Sequence, residues 1–307
     1  MRGEQEIRNA MLSSCKMGDA SCAQGSQLEA YKYYKMAVER AQELCRQSED
    51  LADRAESLPL MCEKLAITCY RLNYLDEAVM FYQDAIQLRL NALEALQQRE
   101  DWAKLLRKRI AQDCKILAGI LEKTGDENKI AECCRIGHKV SAELYNTYGT
   151  EEDARYFLVF AQRLGMSAYL SENLELAFRY FRDAVKVRSR FNDENGDRET
   201  REEFASNYEF LGHIYYKIND FQNAAECYQR KLEIYQRLAQ EEPTVENYGK
   251  CAWGYYHLST TLNDKGELNC LQNAMGIIQN IAESCPEAVP EYKPLYMNCL
   301  AKLQRFQ

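Results

Sequence analysis

Residues 207–235 read NYEFLGHIYYKINDFQNAAECYQRKLEIY, and residues 156–187 read YFLVFAQRLGMSAYLSENLELAFRYFRDAVKV. The two stretches align without a gap when one is shifted by 47 residues. Both place an apolar residue, a small residue and a later aromatic residue at the same offsets. Repetition at this period is typical of stacked helical hairpins, so the sequence predicts a repeat protein before any single residue is considered.

Each copy has the spacing of two α-helices joined by a short turn. In the copy at 207–235, one face of the first helix is formed at i, i+3, i+4 and i+7 by Tyr208, Leu211, Gly212 and Tyr215. Asn219 and Asp220 predict the turn, and Ala224 and Tyr228 continue the pattern in a second helix. Lys231 stands where a third small residue is expected.

The same frame fits six copies. Each copy has an apolar residue followed by Gly, Ala or Ser, namely Met17-Gly18, Leu65-Ala66, Leu117-Ala118, Leu164-Gly165, Leu211-Gly212 and Leu258-Ser259. A side chain larger than Ala at the second position would force the two helices of a hairpin apart. The small residue is therefore predicted to lie where the helices approach most closely.

This pattern resembles the tetratricopeptide repeat, with Tyr208 as the first aromatic, Leu211-Gly212 as the L-G pair and Ala224 with Tyr228 as the A-x3-F element. The units here exceed the usual length of about 34 residues and are similar to long-helix bacterial repeats. The resemblance implies an all-α fold, a right-handed α-solenoid of about six hairpins in one domain over 1–307. The predicted hairpins cover 4–48, 52–100, 103–148, 151–192, 199–241 and 245–284, and a capping helix covers 291–306.

Composition and charge narrow the possible partners. The chain is 46% hydrophobic and 28% charged, with a formal net charge of −8, which argues against direct binding of nucleic acid. The dense basic run 104–109 is interpreted as a solvated helix face. No apolar run approaches the roughly 20 residues that a membrane helix needs, so we expect no membrane partner.

The 13 cysteines are interpreted as core residues of a cytoplasmic protein. The N-terminal sequence MRGEQEIRNAML lacks the apolar region of a signal peptide, the cysteine count is odd, and no CxxC occurs. Cys134 occupies the aromatic position of the third copy's second helix. It is therefore predicted to be a buried thiol rather than a nucleophile.

No pattern of catalytic or metal-binding residues stands out, so we expect no enzyme, no metal and no cofactor. The acidic stretch 192–203 fails the calcium-loop spacing, since Arg198 stands where glycine is needed and Phe204 where glutamate is needed. That stretch is interpreted as a loop with the next helix beginning near Glu199. The histidines His138, His213 and His257 have no second ligand at metal spacing along the chain.

The resemblance implies that the first helix of each hairpin lines a concave groove. On that face the candidate partner-binding residues are Tyr70, Gln112, Lys115, Gln162, Met166, Tyr169, Glu209, His213, Tyr216, Trp253, Tyr256 and Asn263. Tyr70, Tyr169 and Tyr216 share one frame position, so they either line the groove or pack between neighbouring repeats. The family's carboxylate clamp is missing, because its positions hold Cys15, Asp19, Glu63, Ile67, Lys115, Gly119, Gln162 and Met166.

Two classes of function remain. The first is a non-catalytic scaffold or adaptor that binds a peptide, helix or domain of a partner protein in the groove, as aromatic residues with polar neighbours favour. The second is a regulatory sensor whose ligand changes the superhelix and so controls an associated protease, nuclease or transcription factor. The sequence specifies neither the partner nor the oligomeric state.

Overall fold

The computed structural model describes residues 2–47, 51–96 and 98–306. Helices fill these ranges, short 3-10 turns accompany them, and the described ranges contain no β-strand. The α-helices are α1 (Arg2–Ala23), α2 (Gln27–Gln47), α3 (Leu51–Arg71), α4 (Leu75–Leu96), α5 (Glu100–Thr124), α6 (Glu127–Tyr148), α7 (Glu151–Leu170), α8 (Leu174–Arg190), α9 (Arg198–Lys217), α10 (Phe221–Glu241), α11 (Val245–Ser259), α12 (Asp264–Ser284) and α13 (Val289–Leu303). Six helical hairpins followed by a thirteenth helix confirm the predicted all-α repeat fold.

The chain divides into two compact units, Met1–Leu164 and Gly165–Gln307. In the first unit, successive helices from α1 to α6 pack on one another. In the second unit, the same holds for successive helices from α8 to α13. A single functional domain over the whole chain stays a prediction. Within the described residues, none of the helices combines the length and the apolarity that crossing a membrane requires.

Within a hairpin, the small residue of the first helix lies against an aromatic ring of the second. A Cβ atom added to the glycine would lie closer to the ring than packed atoms tolerate, in the pairs Gly18–Tyr34 (2.6 Å), Gly165–Phe181 (2.9 Å) and Gly212–Tyr228 (2.5 Å). The rings of Phe181 and Tyr228 are at most 2% exposed. The predicted reason for the small residue, close helix approach, is confirmed at these positions.

The turn between the two helices also repeats. In the first five hairpins one turn residue has positive φ, namely Gly25, Asn73, Gly125, Glu172 and Asn219. Glycine and asparagine adopt this conformation at little cost, which explains four of the five residues. The next residue then caps the second helix, because the side chains of Asp126, Asn173 and Asp220 each accept a hydrogen bond from the backbone N–H three residues on.

Buried arginines join neighbouring hairpins at equivalent positions in both units. Arg89 of α4 forms ion pairs with Asp113 of α5 and with Glu63 of α3, and its side chain is 3% exposed. Arg188 of α8 donates from Nε to Asn207 Oδ1 of α9 at 2.9 Å. Asp113 and Asn207 are two repeat periods apart, 94 residues. Each buried guanidinium is tolerated because oxygen acceptors surround it.

The acidic stretch 192–203 is more ordered than the predicted loop. A 3-10 turn covers Asp193–Asn195, and α9 begins at Arg198 behind Asp197, whose side chain caps Thr200. Asp193 Oδ2 lies 3.1 Å from Arg188 Nη1. Glu203 Oε2 lies 2.5 Å from Arg188 Nη2, so two acidic residues of the stretch neutralise a buried arginine.

All 13 cysteines are free thiols, and only Cys22, Cys45 and Cys285 are not buried. Cys134 is 1% exposed, which confirms the predicted core position. Burial raises the pKa of Cys134 to about 11 and that of Cys227 to about 12. A buried thiol with a raised pKa supplies little thiolate at neutral pH and is protected from reagents.

We expect Gly212→Ala to lower the free energy of unfolding by about 1–3 kcal/mol, because the new methyl group meets the Tyr228 ring. Gly276→Ala is the matched control, since this helical glycine has nothing within 4 Å of an added Cβ. It should stabilise the protein by about 0.5–1 kcal/mol through helix propensity. Urea unfolding of both variants measures the difference, and equal effects would refute the close-approach explanation.

Thiol titration with an aromatic disulfide reagent should show two classes of cysteine. In the native protein we expect no more than three thiols to react within minutes, those of Cys22, Cys45 and Cys285, and in denaturant all 13 should react. Each of those three cysteines changed to Ser should remove one fast equivalent. Fast reaction of a buried cysteine such as Cys134 would contradict the packing of α5 and α6.

Candidate functional site

The first unit contains an open groove with a volume of about 650 Å³. Helices α3, α5 and α7, the first helices of three successive hairpins, supply most of its wall, and α4 contributes Tyr82. The lining residues are Ile67, Tyr70, Arg71, Tyr82, Gln112, Lys115, Ile116, Gly119, Ile120 and Tyr156. Of the predicted binding residues, Tyr70, Gln112 and Lys115 therefore lie together in one groove.

The wall of the groove is apolar and partly solvated. On α5, the lining residues follow the spacing of one helix face, and Gly119 opens space there because nothing lies within 4 Å of an added Cβ. Ile67 and Ile116 are each 38% exposed. Large apolar side chains exposed together in a concave surface are typical of a binding site.

The rim of the groove is positively charged. Arg71 and Lys115 are exposed, and neither forms an ion pair with another described residue. The Lys123 ammonium lies 4.5 Å from the centre of the Tyr70 ring, a cation–π contact that places a third positive charge there. The nearby carboxylate of Glu122 is neutralised by Arg163, at 2.8 Å.

Tyr82, on the wall of the groove, lies near the buried ion cluster of Glu63, Arg89 and Asp113. The cluster holds two carboxylates and one guanidinium, and burial, opposed by Arg89, raises the pKa of Asp113 above its ordinary value. Tyr82 is 1% exposed, and its hydroxyl finds no hydrogen-bond partner in the described part of the chain. The groove therefore borders buried polar groups at Tyr82.

In the second unit, four predicted residues surround a buried lysine instead of lining an open groove. Lys231 Nζ lies 2.7 Å from Glu209 Oε1 and 3.2 Å from His257 Nδ1. The ring centres of His213 and His257 lie 5.0 Å apart. The ring centre of Trp253 lies 5.7 Å from that of His257 and 5.9 Å from that of Tyr256. Lys231 and His257 were missed as members of this cluster because they lie outside the face assigned by the repeat.

The cluster brings together the metal-ligating atoms of Glu209, His213 and His257, all within 4.8 Å of one another. The histidines lack a second ligand at metal spacing along the chain, and the fold brings two of them together with Glu209; the expectation of no metal stays a prediction. Burial lowers the pKa of Lys231 and lowers that of His257 to about 2, so His257 is neutral and accepts a hydrogen bond from the lysine. The Lys231 ammonium is already the cation bonded to Glu209.

The remaining predicted residues are not among those that line the groove, and most of them lie outside the cluster. Tyr169 packs 5.3 Å from Phe210 and 6.4 Å from His213, and Tyr216 packs 5.5 Å from Phe221. Met166 is exposed on α7 in the second unit, Gln162 lies on α7 in the first unit, and Asn263 precedes α12. The binding role of these residues stays a prediction.

Tyr70 and Tyr169 pack between neighbouring hairpins, and one of them also lines the groove. Lys217 lies 4.8 Å from the ring of Tyr169, as Lys123 lies 4.5 Å from that of Tyr70. Lys123 and Lys217 are 94 residues apart, two repeat periods. Each of these tyrosines therefore packs on the next hairpin, as the packing hypothesis predicts, and Tyr70 also lines the groove.

The sequence also indicates where the groove lies, through the size of the side chains next to the tyrosines. The repeat frame alone does not include this information. Next to Tyr70, the following hairpin supplies Ile116 and Gly119. Next to Tyr169, the equivalent positions 94 residues later hold Phe210 and His213. An aliphatic residue and a glycine beside the first tyrosine, in place of two rings beside the second, indicate where space remains.

Comparison with known proteins supports the fold. No protein-family model matches the chain, and no curated protein matches it. Among solved structures, the chain is similar to the S. pombe nuclear import adaptor Nro1 in two crystal forms. In one form the identity is 14% and the TM-score is 0.52, over 96% of this chain and 99% of that chain. In the other form the identity is 13% and the TM-score is 0.53, over 96% of both chains. BtubC (BKLC) from P. vanneervenii shows 19% identity and TM-score 0.49 over 93% of both chains. The match to Nro1 and the repeated hairpins define a tetratricopeptide-like helical-repeat fold.

The unpartnered hydroxyl of Tyr82 predicts an unusual pair of substitutions. Tyr82→Phe should leave the stability unchanged or raise it by about 1 kcal/mol, since a buried hydroxyl without a partner costs free energy. Tyr34→Phe, at the equivalent position of the first hairpin, should lower the stability by about 1 kcal/mol, because that hydroxyl donates to Asp19 Oδ1 at 2.6 Å. Thermal unfolding compares the two, and a destabilised Tyr82→Phe would show that its hydroxyl has a partner after all.

Proposed function

We propose that the protein is a non-catalytic interaction module, an adaptor or scaffold, that holds a segment of a partner protein in the groove of the first unit. The observation that carries this proposal is the open groove of about 650 Å³ with two half-exposed isoleucines on its wall. Its volume lies within the range of roughly 300–1,000 Å³ of ordinary binding clefts. A preformed wall of helices binds with little ordering cost.

The chemistry of the groove favours binding over catalysis. Its lining residues include no Ser, Cys, His, Asp or Glu that could serve as a nucleophile or general base. The two buried carboxylates near Tyr82 are held by Arg89. We also propose that the helical hairpins are tetratricopeptide repeats of the long-helix type. The 47-residue period and long helices such as the 25-residue α5 support this proposal.

The groove can be filled without disturbing the fold. Gly119→Trp places a large side chain in the groove, where an added Cβ meets nothing, and replaces a helical glycine by a better helix former. Short random peptides displayed on phage would be selected on the wild-type protein and then tested on the variant. We expect binding to fall by at least about tenfold, the loss of a well-packed anchor in the groove.

Gly276→Trp is the matched control, because Gly276 is a helical glycine with equally open surroundings on α12 of the second unit. It should bind every selected peptide as the wild type does. Circular dichroism would verify that both variants fold. Selected peptides that bind Gly119→Trp undiminished would overturn the assignment of the groove.

A further inference from the structure

We infer that the segment which occupies the groove is apolar at its centre and carries acidic residues on its flanks. This inference rests on the proposed function and specifies the partner's chemistry. It follows from the arrangement of charge around the groove, which differs between the rim and the apolar wall.

The apolar centre is required by the wall. Ile67, Ile116 and Ile120 face the space together with the ring of Tyr70. Ile120 is 3% exposed, whereas Ile67 and Ile116 retain 38% of their surface for a ligand to cover. Burial of such surface against a partner's apolar side chains is the main source of binding free energy available here.

The acidic flanks are required by the rim. Arg71, Lys115 and Lys123 form no ion pair with any residue that the structure describes, although the chain as a whole has a net charge of −8. Elsewhere on the same helices, Arg107 is paired with Glu143 at 3.0 Å and Lys108 with Glu152 at 2.7 Å. Unpaired cations beside an exposed apolar surface complement a partner that brings its own carboxylates.

The apolar wall determines where those carboxylates lie. A carboxylate at the centre of the groove would lie against Ile67 and Ile116 and lose part of its hydration. At the rim it meets Arg71, Lys115 or Lys123 and water instead. The acidic residues of the ligand therefore flank its apolar centre.

The composition of peptides selected by phage display tests the inference. Peptides that bind the wild type but not Gly119→Trp should be enriched in Asp and Glu on both sides of an apolar centre. Synthetic copies with these acids changed to Gln should bind about 2- to 5-fold more weakly per residue, the range of solvent-exposed ion pairs. Affinity should also fall as salt rises from about 50 mM to about 500 mM, which screens charge.

Charge reversal in the protein provides the complementary test. Lys115→Glu and Arg71→Glu should each weaken a selected acidic peptide by about tenfold, while both variants keep the wild-type melting temperature, since neither side chain is paired. Lys139→Glu is the control. It reverses an exposed lysine of α6 outside the groove and should change the affinity less than about twofold.

The outcomes separate the inference from the proposed function. Groove-dependent peptides that are neutral or basic would overturn the inference and leave the interaction module in place. Failure to select any peptide whose binding depends on Gly119 would overturn both. Concentration-dependent self-association that Gly119→Trp abolishes would show a second copy of this chain as the occupant, and would overturn the acidic partner.

Discussion

The contact between a helical glycine and an aromatic ring determines how three of the hairpins close. In Gly18–Tyr34, Gly165–Phe181 and Gly212–Tyr228, the ring occupies the volume that a Cβ atom would take, so the two helices approach closely at that level. The residues one helical step away cannot take part in this contact. They are left to pack on the next hairpin or to meet a ligand, and the groove of the first unit is formed from such residues.

A second constraint concerns charge at the contacts between hairpins. Arg89 and Arg188 occupy equivalent positions, and each is buried against an acceptor on the following first helix, Asp113 or Asn207. Removing one partner from such a pair leaves a buried group unsatisfied, which costs more than the pair contributes. Lys231 follows the same rule at a position where the repeat calls for a small residue. The buried ammonium is stable there because Glu209 and His257 both bond to it.

The sequence predicted the fold because the repeat is a local pattern. Spacing, turn residues such as Asn219 and the caps that follow them act within one hairpin, and a single copy suffices to recognise them. The site was predicted only in part. Tyr70, Gln112 and Lys115 lie in the groove, whereas Glu209, His213 and Trp253 lie around Lys231. The repeat frame assigns the same face to every copy. Whether that face is open depends on the side chains that the next hairpin contributes. Lys231 binds Glu209 within one copy, but His257 joins the cluster through its contact with Lys231, a residue 26 positions earlier in the preceding hairpin. No single copy contains that contact.

The difference between the two units follows from side-chain volume at equivalent positions. Tyr70 and Tyr169 both pack against a lysine of the next hairpin, so the backbone arrangement around them is alike. Beside Tyr169, Phe210 and His213 occupy the adjoining space and bring their rings within 5.3 and 6.4 Å of it. Beside Tyr70, Ile116 and Gly119 stand at those positions, and Gly119 contributes no side chain at all. Lys115 likewise stands where Glu209 binds a lysine of its own chain, so this position beside the groove adds a positive charge in place of that internal ion pair. The same repeat therefore closes one site with its own side chains and leaves the other both open and short of negative charge.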